Sequence, residues 1–270
     1  MKEPTFNRED ETMLTLTHHR PDAWKYEPAT IAGKRVIITG GTTGIGRSTA
    51  LLLASLGAKV LIFGRHEREL NDAIETMRDC EDRVVGLTAD VTREADVDRV
   101  FQTIDQQFGG LDILINNAGI GAGSIDDASP DAYRQVIETN LIGYLACAQR
   151  ALSRLREQHA GRIINIGSLS AKGQGPDSDI YVATKTAIRG FSESLARKVQ
   201  NEDIYVTLIE PGSTGADINP ESPEEERKLE SQGEMLVSEC IAEAVLWCMT
   251  QPRYCYVPLL QVQPLHEKVR

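Results

Sequence analysis

The chain is short of the features that mark several protein classes. Aromatic residues make up 5 % and there are two tryptophans. Positive charge is scarce: 29 lysines and arginines stand against 40 aspartates and glutamates, a net charge of −11. A surface of that sign repels nucleic acid and anionic membranes, and neither is expected as a partner. Cysteines number five. They are scattered at Cys80, Cys147, Cys240, Cys248 and Cys255, with no Cys-x-x-Cys, and read as the reduced thiols of a cytoplasmic protein. His18-His19 is a lone pair in a polar stretch without further ligands, and no metal site is expected. No apolar run reaches the ~18 residues of a membrane span. The opening "MKEPTFNRED" has no apolar core, so a secretory signal is not expected.

What is present is sufficient for a folded domain. Hydrophobic residues are 41 % of 270, which suits one large α/β unit. Residues 1–33 are polar and without period and read as an arm, in which Trp24 and Tyr26 offer apolar area for docking. From residue 34 to 270 the chain reads as a single domain in which short β-branched runs alternate with helical patterns. Strands are expected at 35–39, 58–64, 83–90, 111–119, 161–168, 204–212 and 254–262. Helices are expected at 45–57, 66–79, 93–108, ~130–158, ~179–200 and 238–251, and a polar insertion at 219–233. Apolar rather than alternating strands, each followed by a helix, specify a doubly wound parallel sheet of about seven strands with helices on both faces. Ligands then bind beyond the carboxyl ends of the strands.

The chemistry-bearing residues lie at those ends. "TGGTTGIG", 39–46, joins the first strand to the first helix. Its glycines permit a tight turn and the approach of a pyrophosphate to free helix N–H groups. This makes Gly40, Thr42, Thr43, Gly44, Ile45 and Gly46 the phosphate-binding candidates. After the second strand, where an acid commonly takes the ribose 2′-hydroxyl of NAD, stands Gly64 followed by Arg65. A guanidinium suits a 2′-phosphate, so NADP(H) is the expected cofactor and NAD(H) the alternative. Arg47, just inside the first helix, is placed to help. Seven tyrosines occur, and only Tyr181 has a lysine, Lys185, four residues on, the spacing of one helix face.

The glycine turn, "NNAG" at 116–119, Asn140, Ser168 thirteen residues before Tyr181, Tyr181-x-x-x-Lys185 and Pro211-Gly212, in that order, resemble the short-chain dehydrogenase/reductase family in its single-domain form, over roughly 34–263. The resemblance implies hydride transfer between a nicotinamide dinucleotide and a carbonyl/alcohol pair. Tyr181 would be acid/base, Lys185 would tune the phenol downward and hold the nicotinamide ribose, and Ser168 would bind the substrate oxygen. Asn140 would hold a relay water, with a helix-bending role as its plainer reading. It implies cofactor contacts from Asp90, Val91, Asn117, Ala118, Gly119, Pro211, Gly212 and Thr214, and a homodimer or homotetramer. The family's threonine after Pro-Gly is replaced by Ala216, with Thr214 as the substitute. The loop 169–179 and the acidic 219–230 would border the substrate. The acidic stretch reads first as a solvated lid helix, and a cationic or polyhydroxy substrate is the other reading. A non-catalytic dinucleotide-binding sensor or scaffold is the alternative on the same fold.

Overall fold

A computed structural model describes residues 28–172, 179–215, 222–252 and 255–266. Most of the arm, with His18, His19, Trp24 and Tyr26, lies outside the described residues, as do most of the loop at 169–179, Ala216 and residues 219–221.

Seven parallel strands form one sheet in the order β3-β2-β1-β4-β5-β6-β7. They are β1 Arg35–Thr39, β2 Lys59–Gly64, β3 Val84–Thr88, β4 Ile113–Asn116, β5 Gly161–Ile166, β6 Ile204–Pro211 and β7 Leu259–Val262. The helices are α1 Gly44–Ser55, α2 Glu67–Thr76, α3 Glu94–Phe108, α4 Pro130–Ile137, α5 Gly143–Glu157, α6 Asp179–Val199, α7 Pro223–Ser231 and α8 Ser238–Thr250. Local chemistry sets several of their limits. Ser129 caps α4, its hydroxyl accepting from Ala132 N at 3.2 Å, with Pro130 in the first turn. Gly109, at φ 78°, ends α3 in the left-handed conformation that only glycine takes without cost.

The sheet buries both faces, because successive strand residues point to opposite sides. Val36, Ile38, Val60, Ile62, Ile113 and Ile115 meet α1, α2 and α8 through Leu53, Ala54, Leu70, Ala73, Ile241 and Val245. Ile37, Leu61, Phe63, Leu114 and Ile163 meet α3, α5 and α6 through Val100, Phe101, Ala148, Leu155 and Leu195. Each such aliphatic side chain contributes about 1.5–3 kcal/mol when fully buried. Strand order reverses between β1, which pairs with both β2 and β4, and the crevice above that pair is where the loops part.

The expected elements are present, with differences in detail; β4, expected at 111–119, is four residues, Ile113–Asn116. The long helix at 130–158 is interrupted by a π turn, Glu138–Ile142. A 3₁₀ turn, Arg78–Arg83, separates α2 from β3. The last strand is four residues, 259–262, rather than nine. The polar insertion contains α7, capped by Ser222 accepting from Glu225 N at 3.3 Å. Among the described residues no helix is long and apolar enough to cross a membrane.

Candidate active site

A groove of about 990 Å³ runs over the crevice, lined by the β1–α1 turn, the end of β2, the β3 end and the turn after β4. The β1–α1 turn is compact because its glycines sit where side chains cannot. A Cβ on Gly40, itself at φ +61°, would lie 2.8 Å from Ala118 Cα, and one on Gly46 would overlap the Gly40 carbonyl oxygen. Asn117 stitches this turn to β4: its Nδ2 donates to the Thr39 and Gly40 carbonyls at 3.0 Å each. The Thr39 hydroxyl accepts from Asn117 N at 2.9 Å and Ala118 N at 2.8 Å. Helix α1 then begins with no side-chain cap at Thr43 and no acidic residue in its first turn. Its first N–H groups and the positive end of its dipole are thus left for an anion. This uncapped, glycine-walled N-terminus fits the pyrophosphate of a dinucleotide.

Of the sequence-derived cofactor residues, Gly40, Thr42, Thr43, Gly44, Ile45, Arg65, Val91, Asn117, Ala118 and Gly119 line the groove. Gly46 lies behind it as packing. Arg65 is exposed on the rim. Gly64 must be small because Thr42 Oγ1 would stand 2.7 Å from any Cβ there. Arg47 does not join Arg65: its guanidinium donates to the Asp72 carbonyl at 3.1 Å, toward α2. Asp90 is partly committed to its own turn, its Oδ1 accepting from Thr92 N and Oγ1 at 2.9 Å each. Pro211, Gly212 and Thr214 lie at the end of β6, off the groove's lining, with Thr214 Oγ1 donating to the Gly212 carbonyl at 3.0 Å. Glu69 and Thr139 are among the lining residues that the sequence reading does not name. Glu69 of α2 lines the same groove as Arg65, and Thr139, 4 % exposed, also lines it. Glu69 was missed because the carboxylate was sought at the strand end and stands a helical turn later.

Beyond the groove, Ser168, Tyr181, Lys185 and Asn140 converge from three elements. Ser168 follows β5, while α6 carries Tyr181 and Lys185 on one face. The Ser168 hydroxyl lies near enough to the Tyr181 phenol to pull its pKa down. It also accepts from Ser170 N at 3.1 Å and shares a 2.8 Å bond with Ser170 Oγ. Lys185 is 3 % exposed, and its Nζ donates to the Ile166 carbonyl at 3.0 Å and stands 5.5 Å from the centre of the Tyr181 ring. Burial lowers its pKa to about 8. The Tyr181 phenol is not tuned downward as expected. Burial pushes it up, with the Ser168 hydroxyl pulling the other way, because desolvating a phenolate outweighs one hydroxyl donor.

Asn140 sits in the π turn, wholly buried. Its Oδ1 accepts from Ile120 N at 2.8 Å, and its Nδ2 donates to the Ile120 carbonyl at 2.9 Å and to Thr184 Oγ1 at 3.3 Å. The carboxamide therefore ties the turn after β4 to α6. A Cβ at Gly119 would lie 3.5 Å from Asn140 Oδ1 and 3.8 Å from Lys185 Nζ, which shows how closely the Asn-Asn-Ala-Gly turn approaches the pair. The residues thus gather a phenol, an ammonium and a hydroxyl at one end of a groove built for a phosphate-bearing ligand.

Comparison with known proteins agrees with this geometry. The family profile described as short chain dehydrogenase matches residues 34–227. An uncharacterized oxidoreductase of Staphylococcus aureus (strain USA300) is 35 % identical over 237 residues, covering 87 % of this chain and 99 % of that protein. One from Staphylococcus epidermidis is 31 % identical over 239 residues, covering 88 % and 100 %. Among solved structures, a 3-ketoacyl-(acyl-carrier-protein) reductase from Brucella melitensis, complexed with NADH, superposes with a TM-score of 0.79 at 25 % identity, covering 86 % of this chain and 98 % of that one. A short-chain type dehydrogenase/reductase from Mycobacterium marinum gives 0.77 at 24 %, covering 86 % and 95 %, a likeness of fold.

Proposed function

The chain belongs to the short-chain dehydrogenase family of oxidoreductases, and on that premise we propose that it reduces a carbonyl to an alcohol with NADP(H), Tyr181 being the proton donor. The observation that carries this reading is the nearness of the Ser168 hydroxyl to the Tyr181 phenol, with Lys185 held against the same ring. The nicotinamide supplies the hydride. The protein's residues do the rest. Ser168 holds the substrate oxygen and stabilises the charge that develops on it. Tyr181 gives that oxygen its proton. A phenol raised by burial is fully protonated at neutral pH, which favours reduction over alcohol oxidation. Lys185 stabilises the tyrosinate left behind. Asn140 fixes the turn that closes the site, and since its carboxamide is spent on the chain, a relay water would rest on backbone groups of the π turn. A cytoplasmic homodimer or homotetramer is part of the same reading.

Replacing Tyr181 by Phe is expected to lower turnover by at least ~100-fold on a carbonyl panel while leaving cofactor affinity intact. Turnover at the wild-type rate in that variant would remove Tyr181 from the mechanism. Cofactor retained by a wild type inert on the whole panel would favour the non-catalytic alternative. NAD(H) is the second reading for the cofactor, favoured by Glu69, which lines the same groove as Arg65.

A further inference from the structure

Lys185 carries a charge into a place that gives it little help. It is almost wholly buried, and among the described residues no carboxylate offsets the desolvation that lowers its pKa. Its neighbours are a carbonyl and two aromatic faces. One face belongs to Tyr181. The other belongs to Tyr144, on the first turn of α5, 1 % exposed, with its ring centre 5.5 Å from Lys185 Nζ. The Tyr144 hydroxyl donates to the Ile166 carbonyl at 3.0 Å, the same oxygen that accepts from Lys185 at 3.0 Å. The ring is therefore held at one end by a strand carbonyl and presents its π face to the ammonium. Burial pushes the Tyr144 phenol well above its ordinary range, so it stays a neutral donor throughout the pH range in which the lysine titrates.

We propose that Tyr144 is a positioning residue for the catalytic pair: its ring holds the Lys185 ammonium in its charged form beside Tyr181, and its hydroxyl locks the ring to β5. This rests on the reading of Lys185 as the charge partner of Tyr181. Cation–π attraction between an ammonium and a ring within ~6 Å strengthens when both are desolvated, which is the situation here. The Tyr144 side chain also packs on Ile188 and Leu208. A role in packing alone would make its replacement a matter of stability and leave the lysine's protonation where it was.

Among the described residues, charged and titratable groups on the elements near α6 are engaged elsewhere or neutral. Cys147 on α5 is a buried neutral thiol pushed up to about 12. Glu210 on β6 is engaged by Arg189 at 3.1 Å. Asp131 and Arg134 on α4 pair with each other at 3.5 Å on the surface. That leaves Tyr144 and Tyr181 as the groups whose faces meet the ammonium.

The test is a pH titration of the Lys185 side chain by carbon-13 NMR on protein labelled at the lysine Cε, with the signal assigned by its loss in Lys185→Arg. The wild-type midpoint is expected at about 8. Tyr144→Leu, which removes the ring, should lower it by about one unit, and Tyr144→Phe, which keeps the ring, should restore it to within about 0.3 unit. Should the leucine variant not fold, Tyr144→Met, whose unbranched chain adapts to the site, carries the same expectation. An unchanged midpoint in the leucine or methionine variant, or a phenylalanine variant that falls as far as they do, would overturn the proposal. The readout needs no turnover: an inactive wild type would defeat the proposed function and leave this result standing.

Discussion

Lys185 shows how one residue trades stability for function. Its folded pKa is about 8 against an ordinary 10.5. Below pH 8 both folded and unfolded chains hold the proton, and the folded state bears the full desolvation cost. Between about 8 and 10.5 the unfolded chain binds more protons than the folded one, so this residue's contribution to stability rises with pH across that window. Lys185→Met should therefore be more stable than wild type at pH 7, by about 2 kcal/mol. The gap should close as pH climbs to about 10.5, and paired urea melts at several pH values would show it. A constant gap would mean the lysine keeps its ordinary pKa in the folded protein. Arg65 works by a different principle, since it is exposed and lines the groove rather than the core. Arg65→Ala should weaken NADPH about 10-fold or more and NADH less than about 3-fold, read by nicotinamide fluorescence titration. Equal losses for both cofactors would assign cofactor choice elsewhere, with Glu69 the first residue to examine. The spacing of Tyr181 and Lys185 was legible because helical periodicity puts i and i+4 on one face. The direction of the Tyr181 shift was not legible, because desolvation depends on what three other elements stack around the ring.

The π turn is the element that chain periodicity could not reveal. A helix over ~130–158 is correct as to extent, but one extra residue per turn at Glu138–Ile142 leaves the polar and apolar pattern nearly unbroken on either side. Asn140 stands within it, and its three hydrogen bonds reach Ile120 and Thr184, 20 and 44 residues away. Asn140→Ala would leave the Ile120 N–H and carbonyl without these partners, at a cost of about 1–3 kcal/mol. The Ile120 amide should then exchange with deuterium at least ~10-fold faster while β4 stays protected. Unaltered exchange at Ile120 would show that the turn is held by other contacts. The glycine turn was the opposite case. Gly40 and Gly46 were assigned from their place between strand and helix, and steric exclusion by Ala118 and by the Gly40 carbonyl is the physical reason for both.

At the scale of the molecule, the arrangement of strands and helices follows from apolar runs too uniformly hydrophobic to face water on either side. Two buried layers answer to that pattern. Assembly is a matter of surface. Ile137 and Ile142, 39 % and 41 % exposed, lie on and just after α4, within the helical region where the family resemblance places subunit contacts. Light scattering should find two or four times the 29.7 kDa protomer, and Ile142→Glu should shift it toward one. A wild-type protein that runs as a monomer at micromolar concentration would end that expectation.

Chain order and residue type were enough to establish the parallel doubly wound sheet, the strand ends that bear the site, and the pairing of Tyr181 with Lys185. Hydrophobic run length, glycine placement and helical spacing are local properties, and local sequence carries them. Packing was required to turn Arg47 away toward Asp72 and to commit the Asn140 carboxamide to Ile120. It was required above all to seat Tyr144 against Lys185. Those relations join residues distant along the chain, and their energies come from burial and orientation, which exist only once the layers have closed.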